Sequence, residues 1–181
     1  MTLGEKFLKT SMIYFIVGIT MGALFTIKSI KPVHDFVLQS PIFAGAHSHI
    51  NLIGWVSLAI IGGIYMMIKD KPMHSEKIGN TGFWLLNSGI SIMFILMLIA
   101  GYIGSSLAIA GNGAMIEAET SPYMILIMVF AIVIAIGAYL TVHPHTPPHI
   151  IIDFPFPIYD QFLCLPISFL KSISIAFILK K

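Results

Sequence analysis

The chain has 181 residues, of which 57% are hydrophobic and only 10% charged, and its mean hydropathy is +0.92. Soluble domains carry about a quarter of their residues as charges, so this composition excludes an ordinary soluble protein and points to a bilayer. With a net charge of +2, no nucleic-acid partner is expected.

Hydrocarbon supplies no water to the backbone, so each crossing must be a helix of roughly 20 residues or a strand of a closed barrel. The apolar runs are long and continuous instead of alternating in short pieces, which selects helices. Four runs qualify: residues 11–30, 46–68, 82–104 and 122–143. The fold expected is all-α and integral to the membrane, a four-helix bundle over residues 1–145 followed by a Pro-rich tail, 146–181. The first run lacks a small-x-small cleavage site and reads as a retained helix, not a signal peptide.

Lysine sets the orientation, because all ten basic residues are lysines. Lys6, Lys9, Lys69, Lys71 and Lys77 share one side of the membrane against Lys28 and Lys31 on the other. Positive residues favour the cytoplasm, so the N-terminus is expected inside a bacterial inner membrane.

In the first helix Gly18, Gly22 and Thr26 recur every four residues and permit close approach of a neighbour; Ala131 and Ala135 do the same in the fourth. Ser121 and Pro122 read as N-cap and first-turn proline of that fourth helix. In the tail, Pro144, Pro147, Pro148, Pro155, Pro157 and Pro166 forbid one uninterrupted helix. Residues 158–179 are expected to form an interfacial segment or a short fifth crossing. Cys164, the only cysteine, permits no internal disulfide.

The chemistry concentrates at the start of the second run, AHSHINLIGWVSLAIIGGIYMM. Residues two apart on a helix point to nearly opposite faces. From His47, steps of three and four reach Asn51, Gly54, Leu58, Gly62 and Tyr65, a small and polar stripe. From His49 they reach Ile53, Val56, Ile60, Ile64 and Met67, a stripe suited to lipid. His47 is therefore expected to face the bundle. An ionisable side chain at a membrane helix is costly without a partner, and a neutral imidazole suits a metal or heme iron.

The same stretch resembles the second transmembrane helix of the catalytic subunit of heme-copper oxidases, closest to the nitric oxide reductase branch. There an early histidine ligates the low-spin heme, and a tryptophan, a glycine and a tyrosine follow. Here Trp55, Gly62 and Tyr65 follow His47 and His49. With the tryptophans aligned, the relatives' histidine falls between the two, so the resemblance leaves both open; the face argument favours His47 as axial ligand, with His49 as substitute. The resemblance implies heme b in a respiratory setting. It also implies that one copy of this chain lacks a complete gas-reducing centre, since full catalytic subunits resemble twelve-helix bundles with further histidines on later helices. A homo-oligomer or other respiratory subunits are the implied partners besides lipid, and catalysis by the chain alone is left open.

Two other readings stand beside it. On the outer side His34, His47 and His49, with Glu117 and Glu119, could form a mixed nitrogen and oxygen site for copper or zinc in a heme-free metal-binding or metal-delivery protein. The third reading is a structural membrane protein with no cofactor. Met124 and Met128 are conceivable second ligands to a heme, while His74, His143, His145 and His149 belong to the inner side. Toward the inner end, Tyr65 is expected to lie near Asn87 or Trp84, because a polar amide in the bilayer needs a partner.

Overall fold

The computed structural model of the chain describes residues 1–29, 31–67 and 76–142. Among them every regular element is helical, and four helices are long and apolar enough to cross a membrane. These are α1 (Leu3–Thr26), α3 (Pro41–Met67), α4 (Glu76–Ile109) and α5 (Ile116–Val142), with a short helix α2 (Lys31–Leu38) between the first two. The expected segment 158–179 lies outside the described residues.

Each crossing begins before its apolar run, because capped, partly polar turns precede the greasy stretch. At α1, the Thr2 hydroxyl accepts from the Glu5 amide at 3.3 Å and the Glu5 carboxylate accepts from the Thr2 amide at 2.9 Å. This reciprocal box satisfies two otherwise orphaned donors. At α3, Ser40 is the N-cap and Pro41 follows it, where its missing N–H costs nothing. At α5 the expectation fails: Pro122 lies inside the helix instead of opening it. A 3₁₀ turn, Gly113–Met115, starts the helix two turns earlier, and the carbonyl that Pro122 cannot bond belongs to exposed Ala118.

α4 has 34 residues, about 50 Å at 1.5 Å per residue, against a hydrocarbon core of about 30 Å. It either tilts or projects beyond the core. Its end is sharply defined. Gly111 takes φ +77°, the Asn112 amide donates to Leu107 O at 2.9 Å and the Gly111 amide to Ala108 O at 3.1 Å, the bond pair of a Schellman stop. The chain then turns directly into α5, which packs chiefly on α4.

Packing uses glycine where two backbones meet. On α4 and α5, Gly82 faces Thr141 and the Gly137 carbonyl, while Gly137 faces Leu85 and Leu86. Phe7 of α1 is fully buried, 5.6 Å from the Tyr65 ring and 5.0 Å, edge-on, from Phe83. Large apolar side chains such as Ile13, Ile60 and Ile132 face outward, as a lipid-facing surface requires. The chain is a multi-pass membrane protein.

The tyrosine expectation needs correction. Tyr65 donates to Thr141 O at 2.9 Å and lies beside Gly79, whose added Cβ would fall 3.1 Å from the hydroxyl. Gly79 precedes Asn87 by about 12 Å of helix. Asn87 instead donates to Phe83 O in its own helix at 2.8 Å, and its main-chain carbonyl accepts from Tyr14 Oη at 3.2 Å. Trp84 is 67% exposed. Tyr65 thus meets α4 two turns before Asn87, and of the Asn87 amide only the nitrogen is bonded, one turn back; its buried Oδ1 has no partner among the described residues. Tyr65→Phe should lower stability by about 1–3 kcal/mol, the cost of orphaning a buried carbonyl; a denaturant titration in detergent at unchanged helicity measures it.

Candidate functional site

α3 is three pieces in one continuous helix: α-helical Pro41–His49, π-helical Ile50–Ser57 and α-helical Leu58–Met67. Its buried line runs Phe43, Ala46, Ile50, Gly54, Leu58, Gly62, Tyr65. Steps of four on a regular helix drift by about 40° each. The wider π turns absorb part of that drift, which keeps the line facing the bundle over the whole crossing. π segments are rare and recur at functional sites; here His49 is the residue on which the segment begins.

Beside the buried line, three polar side chains at the α1–α3 contact each sit on a glycine of the opposing helix. A Cβ on Gly54 would fall 2.9 Å from Tyr14 Cγ, one on Gly18 would fall 2.7 Å from Asn51 Cγ, and one on Gly22 would fall 2.9 Å from His47 Cε1. Tyr14 also shares a 2.9 Å hydrogen bond with Ser91 of α4. The three polar groups therefore fit only because the facing positions lack side chains.

His47 is half-buried, with the Phe25 ring 5.6 Å away. The Asn51 amide nitrogen donates to His47 O at 2.8 Å and lies 3.3 Å from His47 Nδ1. An amide NH₂ can only donate, so Nδ1 accepts and a neutral ring carries its proton on Nε2. His49 is exposed, and its Nδ1 lies 2.8 Å from Gly45 O. A carbonyl can only accept, so Nδ1 holds a proton, and in the neutral ring Nε2 keeps a lone pair. The two histidines therefore differ in face and in tautomer.

The model of the family cytochrome c and quinol oxidase polypeptide I matches residues 1–140. This chain belongs to the oxidase polypeptide I family. Comparisons with curated proteins and with solved structures gave no match. The match runs from the first residue of the chain almost to the end of α5, so all four crossings are family elements.

Members of the oxidase polypeptide I family normally bind heme and copper. For a multi-ligand metal centre, no three His, Cys, Asp or Glu side chains converge among the described residues. His34 Nδ1 faces Asp35 Oδ1 at 3.4 Å, His47 is turned onto α1, and Glu117 and Glu119 are exposed in the first turn of α5. The mixed site drawn from His34, His47, His49, Glu117 and Glu119 is not assembled.

For heme iron the requirement is an imidazole whose free nitrogen is unprotonated while the other donates to an acceptor. His47 does not meet it: Nδ1 faces a donor, and the ring is covered by Gly22 and Phe25. His49 meets it, with Nδ1 bonded to Gly45 O and its side chain exposed. Nothing in residues 41–67 is acidic or basic apart from these two histidines. An apolar pocket of about 410 Å³ lies among α1, α2, α3 and α4; Phe25 and Phe43 line it, but neither histidine does. Met124 and Met128 are exposed on α5.

Two features escaped the sequence reading: the Gly45 carbonyl as partner of His49, and the π segment.

Proposed function

We propose that this chain is a heme-binding respiratory membrane protein in which His49 is the axial ligand. The observation that carries the reading is the 2.8 Å hydrogen bond from His49 Nδ1 to Gly45 O, which leaves Nε2 as a ligand. Membership of the oxidase polypeptide I family supports heme as the group. Bound there, a heme supplies one-electron redox chemistry. The chain would contribute the ligand and its orientation through Gly45, next to exposed Leu52 and Val56 on the following turns.

With the N-terminus in the cytoplasm, as the lysine distribution favours, α3 enters from the outer face of a bacterial inner membrane. His49 then lies near the outer surface. The role we propose is electron transfer or gas response.

The purified protein should show a sharp heme b band in a reduced-minus-oxidised spectrum. His49→Ala should abolish the band at unchanged helicity, and a band of full height in that variant would refute the assignment.

A further inference from the structure

We infer that the groove among α1, α2, α3 and α4 binds an anionic phospholipid, one acyl chain lying in the groove and the phosphate resting on Lys28 and Lys31. The groove encloses about 410 Å³, within the range of sites that hold a small molecule. Its α1 wall is Ile16, Thr20 and Leu24, spaced by four along one face, and its α2 wall is Val33 and Val37. Phe43 of α3, which is buried, closes the inner side. Ile16, Leu24 and Val33 are 62%, 42% and 39% exposed, so the groove opens on the lipid-facing surface.

Length, lining and charge select the occupant. From Ile16 to Phe25 the groove follows α1 for about 14 Å at 1.5 Å per residue. That is close to half of a hydrocarbon core about 30 Å thick, the depth of one leaflet, which an acyl chain spans. Among the described lining residues Thr20 alone is polar, and its hydroxyl already donates to Ile16 O at 2.8 Å. A ligand that needs hydrogen bonds gains nothing there, whereas a plain hydrocarbon chain loses nothing. Beyond Phe25 the chain leaves α1 and carries Lys28, then Lys31 as the first residue of α2. Both are exposed, and neither has an ion-pair partner among the described residues. The one acid of α2, Asp35, lies one turn on and faces His34 Nδ1 at 3.4 Å. Lysine stems lie along apolar surface while their ammonium groups stay at headgroup depth. The two cations therefore stand at the end of the groove where the phosphate of a seated lipid belongs.

The test uses the full-length protein in mild detergent, stripped of lipid and titrated with phosphatidylglycerol or with phosphatidylcholine of the same chain length, the bound lipid being counted by native mass spectrometry. A lysine at an anionic headgroup favours association roughly fivefold, and Asp35 offsets part of two such gains, so one phosphatidylglycerol per chain should be held about tenfold more tightly than phosphatidylcholine. Lys28→Gln combined with Lys31→Gln should remove the preference and leave weak binding of both lipids. Thr20→Trp, which puts an indole in the middle of the groove, should abolish retention of phosphatidylglycerol at unchanged helicity. Ile132→Trp, at a position 61% exposed on α5, should not. Equal retention of both lipids by the wild-type chain would overturn the site, and that comparison needs no variant to fold. Phosphatidylglycerol held as tightly by Thr20→Trp as by wild type would overturn it too, as would its displacement from wild type by a neutral isoprenoid quinone.

Discussion

Gly137→Val should separate α5 from α4. A Cβ at Gly137 would fall 2.8 Å from Leu86 N and 3.1 Å from Leu85 Cβ, and across the same contact a Cβ at Gly82 would fall 3.0 Å from Gly137 O and 3.0 Å from Thr141 N. The nearest obstacle at Gly137 is the Leu86 main-chain nitrogen, which cannot rotate away as a side chain can. The helices must move apart, and the separation would loosen the Ile134 contact on Gly89 and the bond from Tyr65 to Thr141 O. Overpacking of a tight core costs about 1–3 kcal/mol, and valine against main chain belongs at the top of that range or beyond. Gly63, with nothing within 4 Å of its Cβ position, is the control: Gly63→Ala should be neutral or stabilising by up to about 1 kcal/mol. Unfolding titrations of both variants in detergent decide the matter; equal midpoints would show that the α4–α5 contact is looser than these distances imply.

The bundle was legible because hydrocarbon permits so few solutions. Four apolar runs of bilayer length became four helices, and each one overlaps its run. The starts were less legible. A hydropathy reading sees where lipid begins, whereas the helix begins where donors are capped: Thr2 and Glu5 for α1, Ser40 and Pro41 for α3. Ser121 and Pro122 misled for the opposite reason. They carry a start signal, yet the turn ending at Gly111 had already launched the helix. Tyr65 likewise met Gly79 and Thr141 instead of Asn87 or Trp84, a depth that hydropathy does not encode.

The candidate site was legible to the level of two histidines. The wheel separated their faces: the His49 stripe is largely exposed, and the His47 stripe meets α1. What a wheel cannot supply is the hydrogen bond made by the second nitrogen of each ring. Facing inward looked like the mark of a ligand, because a buried imidazole needs a partner. His47 found that partner in Asn51, and its space in the missing side chain of Gly22. His49 faces outward and is oriented by a carbonyl four residues back, which no pattern of side chains encodes.

If His47 is a packing residue, its fate is tied to Gly22 and not to heme. Gly22→Leu alone should destabilise the α1–α3 contact by about 1–3 kcal/mol, because its Cβ would lie 2.9 Å from His47 Cε1 before the rest of the side chain is added. His47→Ala alone leaves a gap over Gly22 and frees the Asn51 amide from one contact, again a loss. Combined, the leucine occupies the volume the imidazole vacated, so the double variant should be more stable than the sum of the single losses by about 0.5–3 kcal/mol, the range for residues in contact. The heme band should persist in all three variants, because His49, Gly45 and the surface around them are untouched. A band lost with His47→Ala in a protein of wild-type helicity would instead make His47 the ligand, and would require its ring to leave Gly22 and exchange its tautomer when heme binds.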